Sequence, residues 1–249
     1  MQPAPQPVRV LMVTATVGFR HDSIPTARNV MAALPSSSGT FAVTATENLA
    51  DLTASRLAST DVLMFALTSG ELPLDDSQKR AILEFVNGGG GFVGIHSASD
   101  TLYEWPDYGR LVGAYFKEHP WTQQAVVTVE DRAHPITNGL GASFTLTEEF
   151  YTFRENPRSS VHVLLTLDPA SVGVGEDDVR VLPTQLKRNF LEQWRTRFRD
   201  LAASDGAAGE RDSIDLRMRR DRGTDIWPRA VHNVEHTVWQ SSLATNFAE

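Results

Sequence analysis

Short, almost wholly apolar segments recur along the first 100 residues of the chain. They are VRVLMV at residues 8–13, DVLMFAL at residues 61–67 and FVGI at residues 92–95. Strands that are covered on both faces carry continuous apolar runs of this kind, whereas strands with one solvated face alternate apolar and polar residues. The pattern therefore predicts a buried, mostly parallel β-sheet.

Helical patterns lie between these strands. SIPTARNVMAAL offers Ser23 as an N-cap and Pro25 in the first turn. LPLDDSQKRAILEFVNGGGG predicts a capped helix that ends at glycine, with one apolar face formed by Ala81, Ile82, Phe85 and Val86. With a further strand at residues 41–47, the alternation is typical of an α/β, doubly wound fold.

The second half of the chain is less regular. The pattern predicts a helix over residues 108–116 and strands over residues 124–130, 143–153 and 160–167. A helix is also expected to begin near Thr101. The strand predicted at residues 143–153 ends in EEFYTF, a cluster of acidic and aromatic residues.

Charge and composition exclude several function classes. The 249 residues carry a net charge of −8 and include no cysteine. An acidic chain has no electrostatic attraction for nucleic acid or an anionic membrane, and without cysteine it has neither disulfides nor a thiol nucleophile. The first residues lack the features of a signal peptide and no apolar run is long enough to span a bilayer, so we expect a cytoplasmic protein.

Several histidines fall at turns, where they could meet a ligand. His96 directly follows the strand FVGI, and His21 follows the first strand. Because the carboxyl ends of parallel strands form the ligand-binding edge of such sheets, we expect these two side chains to face one site. His119 and His134 each precede a proline, which favours an ordered turn, whereas His162 is interpreted as a strand residue.

Polar and aromatic neighbours extend this candidate site. Asp100 is expected either to orient the His96 imidazole or to cap a helix, and Ser97 either to bind a ligand or to satisfy the turn. Glu149 could take part in acid–base chemistry, or could be a solvated surface acid. Aromatic side chains such as Trp121 suit sugars but are also common in cores.

Nucleotide binding is not supported by the glycine run. GGGG at residues 88–91 ends a helix instead of opening one, and the Lys-Ser/Thr pair of a phosphate-binding loop does not follow. His96 occupies the position of a strand-to-helix nucleophile elbow, where class I glutamine amidotransferases have a cysteine. Glutamine hydrolysis through that cysteine is therefore unavailable.

The ordered motifs FRHDSI, GGGFVGIHSASDT, HPWTQQAVVTVEDRAHPITNGL and EEFYTF resemble those of the ThuA-like (trehalose utilisation) family. The resemblance covers residues 8–168 and implies a flavodoxin-like, class I glutamine amidotransferase-like sheet. It also implies a role in the catabolism of trehalose or a related disaccharide. Because family members often accompany sugar oxidoreductases, a keto-sugar is the expected ligand. The implied pocket residues are His21, His96, Ser97, Asp100, His119, His134 and Glu149, to which we add Tyr151 and Trp121 as sugar contacts.

Two functions remain open at this point. In the first, His96, Asp100 and Glu149 are catalytic, and the chain is a keto-sugar isomerase, lyase or hydrolase that needs no cofactor. A variant places a divalent metal ion on His21, His96 and His119. In the second, the same pocket binds a small-molecule sugar without turning it over. Association of identical chains is compatible with both.

The chain changes character near residue 180. Arginine outnumbers lysine 20 to 3 in the chain, and 11 of those arginines lie after residue 179. The ThuA-like motifs expected there are not visible. We therefore divide the chain into a ThuA-like domain at residues 1–179 and a divergent tail at residues 180–249, and hypothesise that the tail arose by a frameshift. Translation of the other two reading frames would test this.

Overall fold

A computed structural model describes residues 6–38, 41–173, 183–186 and 232–233. In this part of the chain the strands form one sheet, ordered β2-β1-β3-β4-β9-β8-β7-β5-β6. The strands are β1 (Val8–Val13), β2 (Phe41–Thr46), β3 (Val62–Ala66), β4 (Gly91–Ile95), β5 (Phe116–Val129), β6 (Ser143–Phe153), β7 (Val163–Leu167), β8 (Pro183–Leu186) and β9 (His232–Asn233). The helices are α1 (Ile24–Ser38), α2 (Ala54–Leu57), α3 (Asp76–Asn87) and α4 (Pro106–Val112).

The first four strands form a parallel region with apolar side chains on both faces. β1 pairs with β2 and β3, and β3 pairs with β4, all in parallel. Alternate residues of these strands enter two different cores: Leu63 and Phe65 pack on the face that carries α3 and α4, and Met64 packs on the face of α1. The order β2-β1-β3-β4 is the flavodoxin-like order. The predicted doubly wound α/β fold is therefore confirmed.

Helix α3 shows how the local sequence fixes these elements. Asp75 accepts hydrogen bonds from the backbone N–H groups of Ser77 and Gln78, and the Gln78 side chain accepts one from the Asp75 backbone N–H. This reciprocal capping box satisfies donors that the first turn leaves unpaired. Gly88 caps the other end, so the predicted capped helix is confirmed.

The later strands form an antiparallel region. β5 pairs with β6 and with β7, and one core cluster lies against them, formed by Val127, Phe150 and Leu165 among others. β6 alternates between the two sheet faces, as expected when one face packs and the other meets solvent.

Three expectations for this half of the chain are wrong. The helix predicted over residues 108–116 spans 106–112, because Gly113 follows it at a φ of 91° and breaks the helical path. Residues near Thr101 form no helix, since a single 3-10 turn at residues 96–99 ends at Asp100. His162 lies just before β7, where its Nε2 is 2.8 Å from an Asp131 carboxylate oxygen.

The start of β5 also differs from the expectation. The strand begins at Phe116 instead of residue 124, so His119 lies in a strand and not in a separate turn. The pairing with β6 shifts register between Phe116 and Glu118 and again between Glu118 and Trp121. These irregularities accommodate Pro120, which cannot donate a ladder hydrogen bond.

Two short strands of the predicted tail join the sheet. β9 pairs with β4 in parallel and β8 pairs with β7, so the two together connect the parallel and antiparallel regions. The rest of the tail lies outside the described residues. Within the described part of the chain, no helix combines the length and apolar character needed to cross a membrane.

Candidate functional site

The loop after β1 brings His21 to the carboxyl edge of the sheet. The backbone N–H groups of Val17 and Gly18 donate to the Ser69 carbonyl, at 3.0 and 3.3 Å. The two backbones approach so closely that a Cβ on Gly70 would lie 2.6 Å from the Gly18 nitrogen. The loop is thereby fixed to the segment that follows β3, and it holds the half-buried His21 ring in place.

His96 is the buried centre of the site. It follows β4 directly, and only 3% of its surface is exposed. Its backbone has a φ of 53°, a left-handed conformation that is uncommon for residues other than glycine. Such conformations cost about 1–3 kcal/mol and are found most often at functional positions.

The end of β6 supplies the other members of the site. Glu149 and Tyr151 are two residues apart on one strand, so their side chains lie on the same face. The Tyr151 hydroxyl and the His21 Nε2 each lie 2.9 Å from the His96 Nε2, and a Glu149 carboxylate oxygen lies 3.5 Å from it. We call these four residues the His96 cluster: His21, His96, Glu149 and Tyr151.

The His96 cluster crowds three polar groups around one nitrogen. An imidazole Nε2 offers one hydrogen or one lone pair, so it makes one good hydrogen bond at a time. The ring of His96 also packs against the rings of His21 and Tyr151, with centroids 4.6 and 4.5 Å apart. This geometry suits proton exchange between neighbours and suits coordination of a cation. Among the described residues, the group whose ligand atoms could hold a metal ion is His21, His96 and Glu149, with those atoms within 4.8 Å of one another.

His119 lies at the border of this cluster. Its exposed imidazole stacks on the Tyr151 ring and on the Phe116 ring, with centroids 5.9 Å apart in each case. The metal-capable group therefore contains Glu149 and not His119.

The polar residues after His96 have other contacts. The Asp100 carboxylate accepts a hydrogen bond of 2.6 Å from the Tyr103 hydroxyl, so its observed partner is Tyr103 and not His96. Burial, followed by the hydrogen bond to Asp100, raises the pKa of Tyr103 far above its usual value. Ser97 is fully buried, and its hydroxyl makes no hydrogen bond within the described part of the chain.

His134 and Trp121 lie in other surroundings. His134 follows β5, its ring centroid is 5.8 Å from that of His162, and burial lowers its pKa. Asp131 is hydrogen-bonded to the His162 ring, which lowers the pKa of this carboxylate. Trp121 packs against the core cluster beneath β5 and β7.

Sequence reasoning missed two features of the site. Tyr151 was expected to contact sugar, but its direct contact with His96 was not foreseen; the two-residue spacing from Glu149 was the available signal. Phe19 was overlooked. Its side chain is 70% exposed, and its ring meets the His21 ring edge-on at 4.8 Å between centroids.

The topology and the strand-end histidine define a doubly wound α/β protein with a buried imidazole at the position of the nucleophile elbow. A family model described as trehalose utilisation, ThuA, matches residues 9–196. The chain therefore belongs to the ThuA family. This confirms the resemblance seen in the sequence, and the strand order of the parallel region is the flavodoxin-like order that the resemblance implies.

Two solved structures share the fold of this chain. A ThuA-like protein from Bacteroides uniformis is 24% identical with a TM-score of 0.56, over 68% of this chain and 72% of that one. A ThuA-like protein from Parabacteroides merdae is 18% identical with a TM-score of 0.53, over the same shares of the two chains. At these identities the likeness shows the fold alone. No match to a curated protein was found.

Proposed function

We propose that this protein acts in the cytoplasm on a keto-sugar derived from trehalose or a related disaccharide, by acid–base chemistry in the His96 cluster. The observation that carries the proposal is the approach of His21 and Tyr151 to one buried His96 nitrogen, each at 2.9 Å. Hydrogen-bonded groups of this kind at the ligand-binding edge of a doubly wound sheet are the parts that proton transfer requires.

The reaction class follows from the functional groups. A base of the cluster removes a proton from the carbon next to the sugar carbonyl, and the C–H electron pair forms a carbon–carbon double bond as the carbonyl oxygen is protonated. Where the deprotonated carbon carries a hydroxyl, the resulting enediol is protonated at the former carbonyl carbon while its other hydroxyl loses a proton and becomes the new carbonyl, which is isomerisation. Alternatively, the enol O–H loses its proton as the carbonyl re-forms and a substituent two carbons away leaves with its bonding electrons and is protonated, which is elimination. The His96 Nε2 and the Tyr151 hydroxyl oxygen are 2.9 Å apart, so these two side chains exchange the proton with the substrate and with each other.

The remaining groups would bind the sugar. Glu149 is partly exposed, with 34% of its side-chain surface accessible, so its second oxygen can accept a hydrogen bond from a sugar hydroxyl. Phe19 presents an exposed aromatic face beside His21, and such faces pack against the apolar face of a sugar ring. His119 borders the same region through its stacking on Tyr151.

Turnover of candidate keto-disaccharides by the full chain tests the proposal, measured as a pH profile. The informative variant is His96→Asn, because asparagine tolerates the φ of 53° better than alanine does. We expect kcat to fall about 100-fold or more. The control His162→Asn removes an imidazole outside the cluster and should leave kcat unchanged.

Two results would contradict the proposal. Equal turnover by the wild type and His96→Asn would remove His96 from the reaction. Sugar binding without turnover in any protein would identify a sugar-binding module, the second function that the sequence leaves open.

A further inference from the structure

We propose that His21, His96 and Glu149 bind one divalent first-row transition-metal ion. The inference rests on the proposed function, because it concerns the same site and adds the group that would activate the sugar. Its basis is the arrangement of three donor atoms from three separate parts of the chain: the loop after β1, the end of β4 and the end of β6.

The separations between donor atoms match a shared ion. Two ligands that each lie about 2.1 Å from a metal are roughly 3.0 Å apart in octahedral geometry and roughly 3.4 Å apart in tetrahedral geometry. The two imidazole Nε2 atoms are 2.9 Å apart, and the Glu149 oxygen is 3.5 Å from the His96 Nε2. These two separations lie close to the two values, and the third pair of donor atoms, on His21 and Glu149, is within 4.8 Å, so side-chain movements would bring all three donors around one ion.

The crowding around His96 also favours a cation. The His21 Nε2 and a Glu149 oxygen both lie within 3.5 Å of the His96 Nε2, which satisfies only one partner through hydrogen bonding. A cation held between these atoms would interact favourably with all three donors at once. If the cluster served only as a chain of hydrogen bonds, each imidazole nitrogen would need only one polar neighbour.

The donor types select the class of metal. Two histidines and one carboxylate suit Zn²⁺, Mn²⁺, Fe²⁺ and Co²⁺, whereas Mg²⁺ and Ca²⁺ prefer oxygen donors throughout. Three protein ligands leave coordination positions for substrate oxygens, as in catalytic sites. A keto-sugar carries a carbonyl beside a hydroxyl, and that pair of oxygens could fill such positions.

The bound ion would refine the proposed chemistry. A divalent ion polarises a carbonyl and stabilises the negative charge that develops on its oxygen. His96 then serves as a ligand, and Tyr151 carries the proton transfer that the metal-free cluster would divide between the two side chains. Tyr151 is not among the three proposed ligands. A substitution of Tyr151 therefore tests proton transfer without removing a metal ligand.

Metal titration of the full-length protein tests the site. The protein is freed of any polyhistidine tag, stripped with a chelator and titrated with Co²⁺ and Zn²⁺, followed by calorimetry and, for Co²⁺, by visible absorption. We expect one equivalent to bind, and Zn²⁺ to displace Co²⁺ because it lies later in the stability order. A protein that takes up no stoichiometric ion of either kind would overturn the inference.

Variants assign the ligands. His21→Ala and Glu149→Gln are each expected to weaken binding by roughly 10-fold or more, because a ligand is lost. Both residues are partly exposed, so both variants are expected to fold, and circular dichroism checks this. The control His162→Ala removes a histidine from a different region, and Tyr151→Phe leaves the three ligands in place. Unchanged binding in His21→Ala and Glu149→Gln, or equal weakening in the His162→Ala control, would refute the assignment.

The outcomes also separate this inference from the proposed function. Turnover by the metal-free wild type, with no stoichiometric metal binding, would overturn the cation site and leave acid–base chemistry on the sugar intact. Stoichiometric binding that depends on His21 and Glu149, without binding or turnover of any keto-disaccharide, would support the cation site and contradict the proposed sugar chemistry.

Discussion

The parallel and antiparallel regions of the sheet bury their side chains in different ways. Every residue of β3 and β4 is buried, because helices cover both faces of the parallel region. In β6, side chains on one face pack throughout the strand, whereas the other face is exposed at Ser143 and becomes buried only at Tyr151 and Phe153. The second face of β6 is therefore covered only at its carboxyl end.

That difference explains where the site forms. The parallel region fixes strand ends rigidly and places His21 and His96 at one edge. The antiparallel region contributes Glu149 and Tyr151 from the part of β6 where its solvent-facing side becomes buried. The His96 cluster is thus one contact between two regions that are built by different packing rules, and each region can be perturbed separately.

The largest expected effect is on the parallel core. Phe65 is fully buried, and its ring contacts those of Phe92 and Tyr108, with centroids 5.5 and 5.7 Å away. Phe65→Ala should lower the free energy of unfolding by about 3–5 kcal/mol, because it removes buried area and leaves a cavity. Urea titration measures this, and a loss below about 1 kcal/mol would contradict the description of this core.

A smaller effect is expected where the loop after β1 is attached to the segment after β3. Gly70 has a φ of 75°, and an added Cβ would meet the Gly18 backbone. Gly70→Ala should cost about 1–3 kcal/mol and displace His21, because neither backbone can move cheaply. Chemical shifts of the His21 ring would report the displacement, and Gly139→Ala is the matched control, since its φ is also positive but no atom lies near its Cβ. If both variants lost the same stability, the loss would come from the positive φ alone, and the contact between Gly70 and Gly18 would not contribute.

The change in the free energy of unfolding with pH should come from His134, which follows β5 in the antiparallel region. Burial lowers the pKa of His134 in the folded state below the usual 6.5, with Asp131 and His162 as its charged or titratable neighbours. The unfolded chain then binds the proton first, so stability is complete above about pH 7 and declines as the pH falls towards about 5. Asp131 adds a loss only below its ordinary pKa of 3.8, because its own pKa is lowered.

The variant that tests this dependence is His134→Asn, whose side-chain oxygen can replace the Nδ1 acceptor of the Ile136 N–H. Its free energy of unfolding should change less between pH 7 and pH 5 than that of the wild type. An unaltered pH dependence would show that His134 does not contribute.

The smallest expected effect concerns surface ion pairs, and here the two regions should behave alike. Arg158 pairs with Glu130 in the antiparallel region, and Arg9 pairs with Asp61 in the parallel region; both arginines are about half exposed. Replacing Arg158 by alanine should cost no more than about 1 kcal/mol, and replacing Arg9 should have a similarly small effect on stability, because solvent and salt screen exposed charges. Thermal melts at low and high salt measure this, and a larger loss would indicate a packing role for the arginine side chain.

The parallel region was the more predictable from sequence. Its strands are continuous apolar runs, and the glycine-terminated helix before β4 carries its own capping residues, so local patterns determine local structure. The positions of His21 and His96 at one edge followed from the topology rule for parallel strands.

The antiparallel region was less predictable because its contacts depend on register. β5 continues through HPW at residues 119–121, although this local sequence alone favours a turn. The strand passes Pro120 because its pairing with β6 shifts register there. Asp100 sits four residues after His96, yet its carboxylate is taken by Tyr103. No local pattern shows that Tyr151, 55 residues after His96, reaches its Nε2, since that contact depends on how the hairpin crosses the sheet edge.

The most direct test of the account is a double-mutant cycle on kcat/KM for a keto-disaccharide, with His96→Asn from the parallel region and Tyr151→Phe from the antiparallel region. Because the two side chains act as one unit, each single variant should lose about 100-fold or more, and the double variant little beyond the larger single loss. Losses that multiply would show that His96 and Tyr151 act independently, and the joint site that we describe would not exist.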